Sequence, residues 1–385
     1  MPKHSLLAAS SSARWLTCTK SARFEEGLPN KSSGYAIEGT LAHAVAEVTA
    51  SYWLGKTSEQ QYEEAIALLR QDSYYSDEMR SYANEYAHFI VEKMGALEDP
   101  IAELEVHADY SEWAPEGAGT CDCAIISERV LEIIDYKYGQ GERVSAESNS
   151  QMRCYALGAY VAYNLLYDID TIRMTIYQPR ISDGISSEEI SIEDLLKWAD
   201  KYVKPRALLA FSGEGEFVPS AKACRFCKGA AVCKARAAQN LALFDDAPDI
   251  NVMSSDEVGA YLEKADDIKA WLKALEDHIF NAILQGDEVK GWKLVHGRSN
   301  RAFSDEAQVV KALTKAGYNK KLLYEQKLLT LTQLEKAFGK KEIGEVLKDL
   351  IVKPDGKPTL VPAFDKRQPY QPTEELLKQF DKEEK

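Results

Sequence analysis

The residues with the most chemistry in them are Asp122, Asp135 and Lys137. They fall in residues 119–137, GTCDCAIISERVLEIIDYK, which read as two short apolar strands joined by a polar turn at Ser127-Glu128-Arg129. Residues two apart in a strand share a face. Asp135 and Lys137 therefore point together, and pairing of the two strands can bring Asp122 beside them. Two carboxylates and an ammonium at the end of a hairpin suit a divalent-metal hydrolase. The carboxylates hold Mg2+ or Mn2+ through oxygen, and the lysine holds a water or a developing charge. A strand ending in Asp-x-Lys is also a common surface ion pair, so the hairpin alone leaves both readings open.

The second group is Cys224, Cys227 and Cys233, spaced C-x2-C-x5-C in KACRFCKGAAVCKAR. Three thiols this close on one loop rarely serve packing, and a metal centre is the better reading. A fourth ligand is needed. Cys121 and Cys123 alternate with Asp122 and should face away from the catalytic side, while Cys154 sits mid-helix as a small buried hydrophobe. Cys18, about 200 residues upstream, can close a four-Cys site holding zinc or a [4Fe–4S] cluster. Such a site would staple the N-terminal helix to the end of the core.

The elements that must position these residues follow from hydrophobic period and punctuation. Residues 8–26 read as one amphipathic helix capped by the serines at 10–12, residues 37–53 as a second helix, and 58–98 as two helices broken near 72–76. At residue 101 the period changes to the alternation of a strand, AELEVHADY. After the hairpin come a glycine-containing loop at 138–143, a helix at 147–166, a strand at 171–180 ended by Pro179, and a helix at 192–211 that Ser191 caps and Pro205 kinks. This order predicts an α/β core with a central mixed β-sheet flanked by helices, in which 147–166 is a crossover helix. Further on, 256–284, 305–316 and 332–350 read as helices and 292–296 as a short strand, and 353–385 is rich in Pro, Lys and Glu. The domain expectation is a core at 1–240, a mainly helical C-terminal extension at 241–366 and a disordered tail at 367–385.

Hydrophobic content of 45% and charged content of 28% are those of a soluble globular protein. The net charge of -14 argues against broad non-specific coating of nucleic acid. The acidity is uneven, with residues 301–385 mildly basic. The SLLAAS run near the start is too short for a signal peptide, and no stretch approaches the roughly 20 apolar residues of a membrane span. The expectation is a cytoplasmic protein with no membrane contact and with reduced or metal-bound cysteines.

In combination, these residues resemble the RecB-like branch of the PD-(D/E)xK nucleases. More narrowly, they resemble its iron–sulfur subgroup, which includes the AddB nuclease domain and the CRISPR-associated RecB-like exonucleases. Gly39-Thr40-Leu41-Ala42-His43 is similar to the family's Gly-Thr-x-x-His, and residues 119–122 to its Gly-x-x-Asp. Asp135-Tyr136-Lys137 matches (D/E)-x-K, and Gln151 with Tyr155 matches Gln-x-x-x-Tyr. Cys18 with Cys224, Cys227 and Cys233 reproduces the subgroup's cluster pattern, with Thr19 where the family often has proline. The resemblance covers about residues 8–240 and extends to uncharacterised RecB-like proteins of phages and prophages. It implies a restriction-endonuclease-like core.

The resemblance also implies roles. His43, Asp122, Asp135 and the Tyr136 carbonyl would hold Mg2+ or Mn2+. Lys137 would orient the attacking water, and Gln151 would position the lysine or a phosphate. Tyr155 would stack on a base or pack in its helix, and the four cysteines would hold a [4Fe–4S] cluster or structural Zn2+. His43 also reads as a helix histidine packed on the sheet, and Glu47 and Glu105 read equally as site acids or solvated ones. The implied function is an exonuclease on linear or single-stranded DNA in phage recombination or replication, with a single-strand-binding or annealing protein as a further partner. The alternatives are a catalytically weak DNA-binding accessory that docks a partner through residues 241–385, where Lys320-Lys321 and Lys340-Lys341 could touch DNA, and a zinc-stapled structural protein.

Overall fold

A computed structural model describes residues 5–29, 34–245, 254–295 and 306–316, with Gly339 and Leu347. The chain divides into two compact units, residues 1–290 and 291–385. The first holds a five-stranded sheet in the order β1 (Ile101–Asp109), β2 (Ala118–Ile126), β3 (Val130–Tyr136), β4 (Thr171–Tyr177), β5 (Ile185–Ser191). All neighbours run antiparallel except β3 and β4, which are parallel. A parallel pair needs a crossover, and α6 (Ser150–Tyr163) supplies it. The mixed sheet and its crossover helix are as the sequence predicts.

Helices cover both faces. On one lie α3 (Gly34–Trp53), α4 (Glu59–Leu69) and α5 (Asp77–Gly95), and α3 buries Leu41, Ala42, Val45, Ala46, Thr49 and Ala50, a stripe at helical spacing. On the other lie α6, α7 (Ile192–Trp198), α8 (Lys204–Ser212) and α1 (Ser12–Thr17). Because both faces are covered, β3 is buried along nearly its whole length. Gly158 lets α6 approach closely, since a Cβ there would lie 2.4 Å from the Ala108 backbone of β1. Helix starts carry side-chain caps, with Ser58 and Gln61 forming a capping box on α4, Ser76 capping α5, Asn149 capping α6 and Ser191 capping α7.

Four local expectations need correction. Residues 8–26 are a 3-10 turn (Ala9–Ser11), α1 and α2 (Ser21–Glu26), because Cys18 leaves the helical region at φ -105°, ψ 81°. Ser11 makes no capping bond there and instead donates from Oγ to the Ala8 carbonyl. Residues 192–211 are likewise broken, by a π-helical stretch at Ala199–Val203, while Pro205 sits harmlessly in the first turn of α8. β5, ISSEEIS, is an additional strand; it is a polar edge strand whose exposure alternates residue by residue although its residue types carry no apolar alternation. Residues 292–295 are irregular rather than a strand.

Beyond the sheet come the four-residue α9 (Ala221–Cys224), α10 (Lys234–Asp245) and α11 (Ser255–Leu284), whose Asp267 pairs with Arg236 of α10 at 2.9 Å. In the second unit the described helix is α12 (Glu306–Lys315). The helix expected at 332–350, apart from Gly339 and Leu347, lies outside the described residues, as do Lys320, Lys321, Lys340, Lys341 and the stretch 353–385. Among the described residues no helix is long and apolar enough to cross a membrane.

Candidate active site

The sheet splits at one pair of residues. β1 and β2 pair continuously on either side of Glu105 and Asp122, but these two do not pair with each other. Glu105 takes φ +50°, a left-handed conformation uncommon for glutamate. The side-chain alternation breaks at the same level. Leu104 and Cys123 pack with the α3/α5 face, whereas Val106 and Cys121 pack with the α6 face. The expectation that Cys121 and Cys123 share a face is therefore wrong, because the strand twists between them to turn Asp122 into the gap.

Asp122 is held there from two sides. Its Oδ2 accepts from the Tyr136 amide at 2.6 Å, and its Oδ1 lies 2.9 Å from His43 Nδ1 on α3. The β2–β3 ladder ends at Cys123 and Ile134, so the Tyr136 amide has no β2 carbonyl opposite it and the Asp122 carboxylate accepts its bond instead. The Tyr136 ring packs among Tyr86, Tyr138 and Tyr177 and meets His43 edge-on at 5.7 Å. Burial disfavours the charged imidazole of His43, but the hydrogen bond and charge of Asp122, with Asp135 behind, more than offset it and raise its pKa.

On the α6 side, Asp135 is 2% exposed and Lys137 Nζ lies 2.8 Å from its Oδ2. Gln151, in the first turn of α6, spans the pair at the outer limit of hydrogen bonding. Its Nε2 is 3.5 Å from Asp135 Oδ1, and its Oε1 is 3.5 Å from Lys137 Nζ. The same Nε2 donates to the Tyr155 oxygen at 3.0 Å. Tyr155 is 6% exposed, so it packs rather than offering a ring to a base. It packs on Gly119, where a Cβ would lie 2.7 Å from Cε1 of the ring. That contact is a physical reason for glycine three residues before Asp122. Gly39 has no such reason, because a Cβ there would meet nothing within 4 Å. Burial pushes the Asp135 pKa up against the pull of Lys137. Burial pulls Lys137 down, but the charge and hydrogen bond of Asp135 and the charge of Asp122 together outweigh it and hold its pKa above the ordinary value.

His43, Glu47, Glu105 and Asp122 line one small pocket with Tyr86 and Tyr136. Burial, then the charges of Asp122 and Glu47, pushes Glu105 up to about 7. The residues that sequence reasoning singled out thus meet at the split, in two halves: His43 and Asp122 toward α3, and Asp135, Lys137, Gln151 and Tyr155 toward α6. Tyr86 was missed, since its only signal is a buried position in a helical period. The strain at Glu105 has no sequence signal at all.

The four cysteines also meet. Cys18, Cys224, Cys227 and Cys233 line one cavity with Phe24, Phe217 and Pro219. Cys18 sits at the break between α1 and α2, where its Sγ accepts from the Val218 amide at 3.3 Å. Arg14 Nη1 donates to the Phe226 carbonyl at 3.1 Å, and Glu25 Oε1 accepts from the Lys228 amide at 2.5 Å, tying the N-terminal helices to the cysteine loop. Burial raises the thiols of Cys18 and Cys224 and pushes Cys227 up to about 12, outweighing the Val218 amide on Cys18 and the charges of Arg236 near Cys224 and Arg14 near Cys227. Cys121, Cys123 and Cys154 are buried in the two hydrophobic cores.

Among the described residues, no group of three or more His, Cys, Asp or Glu side chains could hold a metal ion as it stands. The donor chemistry nonetheless matches at both places. Asp135 Oδ2 is buried and meets one cation, Lys137 Nζ at 2.8 Å, which leaves the carboxylate lone pairs for a hard cation. Four soft sulfur donors around one apolar cavity suit zinc or an iron–sulfur cluster.

Two solved structures resemble the chain. LHK-Exo in complex with dAMP is 12% identical, with 45% of this chain and 91% of that chain covered at a TM-score of 0.24. SSO0001 is 15% identical, with 58% and 96% covered, also at 0.24. Both superpositions are loose, and the reading of the site rests on its own residues. Over residues 4–368 the sequence matches DUF2800, described as a protein of unknown function, and the chain belongs to that family.

Proposed function

We propose that this protein is a divalent-metal-dependent deoxyribonuclease acting on linear or single-stranded DNA, of the RecB-like iron–sulfur kind. The observation that carries the reading is the convergence of Asp122, Asp135 and Lys137 at the split in the sheet, with Gln151 bridging the last two. A structural ion pair needs neither a second carboxylate nor a break in the ladder.

In this reading Asp122, Asp135, His43 and the Tyr136 carbonyl hold Mg2+ or Mn2+. When bound, the ion supplies Lewis-acid polarisation of the scissile phosphate and lowers the pKa of water. Lys137, charged at neutral pH, orients the attacking water and offsets the charge that develops on the phosphate oxygens. Gln151 keeps the lysine and Asp135 in register, and Tyr155 with Gly119 keeps Gln151 in place. Cys18, Cys224, Cys227 and Cys233 hold a cluster that joins the two ends of residues 1–240, the nuclease domain of this proposal. A net charge of -14 disfavours wide duplex contact and favours capture of a strand end.

The test is digestion of end-labelled linear DNA with Mg2+ or Mn2+, comparing anaerobically purified wild type with Lys137→Ala on single-stranded, duplex and circular substrates. Metal-dependent degradation of linear DNA that the variant loses is the expected result. A folded, metal-loaded wild type that degrades nothing overturns the reading, and efficient cutting of closed circular duplex overturns its exonuclease part. Iron with acid-labile sulfide in the purified protein, against zinc alone, decides the cluster.

A further inference from the structure

The geometry points to a second nucleic-acid contact, an aromatic–basic groove beside the first turn of α6 that grips a single DNA strand. The identity of the ligand rests on the nuclease reading above. Residues 197–206, KWADKYVKPR, carry four bases to one acid in a chain of net charge -14. The one acid is occupied, since Asp200 Oδ1 accepts from Trp113 Nε1 at 3.0 Å. This run holds the π-helical stretch between α7 and α8, and π turns are rare interruptions that recur at functional sites.

Trp198 and Tyr202 stack with ring centroids 6.4 Å apart and planes 22° from parallel. Arg153 lies over Trp198 at 5.6 Å and Arg206 over Tyr202 at 4.1 Å. Both cations are themselves anchored, Arg153 by Glu188 at 2.8 Å and Arg206 by the Leu16 carbonyl at 3.1 Å. The rings are thus fixed before any ligand arrives, which spares the ordering entropy of binding. With Ser148, Ser150, Arg153 and Lys222 they line an open cavity of about 380 Å3. Ser148 itself sits at φ +52°, strained for a serine.

Aromatic faces, cations and hydroxyls in one groove are the equipment for unstacked bases and their phosphates. A duplex keeps its base faces covered, so the ligand is a single strand. Because the rings stack on each other and carry Arg153 and Arg206, bases would pack against the open edges of Trp198 and Tyr202 and on the guanidinium planes over them, with phosphates toward Lys222, Ser148 and Ser150. Gln151 follows Ser150 directly and reaches Asp135 and Lys137. A strand leaving the groove across the start of α6 therefore arrives at the carboxylates.

The experiment measures binding without cutting: fluorescence anisotropy of a fluorescein-labelled oligothymidylate with the full chain, in chelator and without divalent cation. Trp198→Ala and Tyr202→Ala should each weaken binding about tenfold, since stacking on one ring is worth roughly 1–3 kcal/mol per base. Lys222→Glu should lower the salt dependence by about one phosphate contact. An abasic oligonucleotide of equal length should bind wild type as weakly as the ring variants bind thymidylate. Should a ring variant fail to fold, the exposed Lys222 and the abasic comparison on wild type still decide. Equal binding of abasic and thymidylate strands, folded ring variants that bind as wild type does, or no binding by wild type each overturns the groove. Ring-dependent binding in a protein that cuts nothing would keep the groove and defeat the nuclease reading. Cutting with ring-independent binding would do the reverse.

Discussion

The two ends of β3 each bury a carboxylate, and the protein treats them differently. Glu132, 0% exposed, is saturated. Its Oε1 receives Thr175 Oγ1 at 2.9 Å and the Lys93 ammonium at 3.1 Å, and its Oε2 receives Arg173 at 3.2 Å. Asp135, three residues on, has one ammonium at 2.8 Å on Oδ2 and only a glutamine amide at 3.5 Å on the other oxygen. Asp122 adds a like charge that raises its pKa further. A carboxylate that serves the fold is surrounded until its desolvation is offset, whereas one with capacity to spare is a candidate for chemistry. The contrast also separates a buried ion pair from a site on the same strand, which composition and spacing alone do not.

The sharpest way to break this contrast is to neutralise each end. Asp135→Asn should lower metal-dependent cleavage about a thousandfold, the several kcal/mol that metal-held charge stabilisation contributes, with a smaller change in melting temperature. Cleavage surviving in that variant would remove Asp135 from the site. Glu132→Gln should act the other way. Breaking a buried charge network costs about 3 kcal/mol of stability, read by urea unfolding, while the rate per folded molecule holds. A Glu132→Gln protein as stable as wild type would show the network to be dispensable.

The smallest expected effect concerns Glu105. Its carboxyl is raised from 4.5 to about 7, so between those values the folded protein holds a proton that the unfolded chain has released. Stability therefore falls as pH rises through that window. Glu105→Gln removes the penalty, so in chelator the variant should gain melting temperature relative to wild type from pH 5 to pH 8. The gain is modest because water reaches Glu105 and screens it. A difference that stays flat with pH would mean that Glu105 is not held as described.

Much of the fold was legible from the chain. The 3.6-residue stripe of α3, the break between α4 and α5, the hairpin turn at Ser127-Glu128-Arg129 and the Ser191 cap all express local rules, and the structure keeps them. The failures share one cause. Cys18 breaks a helix that its neighbours would extend, and Ala199–Val203 widens another. β5 is a strand because β4 offers it an edge, and its own polar sequence shows no strand period. In each case a tertiary contact outweighs a local preference worth well under 1 kcal/mol per residue.

At the candidate site, the amino-acid sequence by itself determined which donors exist, their order, and that Asp135 and Lys137 share a face of one strand, because alternation is a property of the backbone. Only the tertiary structure decided that β1 and β2 part at Glu105 and Asp122, that Asp122 turns into the gap, and that His43 meets it from 79 residues away. It likewise decided that Cys18 reaches the loop of Cys224, Cys227 and Cys233. Those encounters depend on two packed faces and a strained residue between them, and no local pattern encodes the energy of packing at a distance.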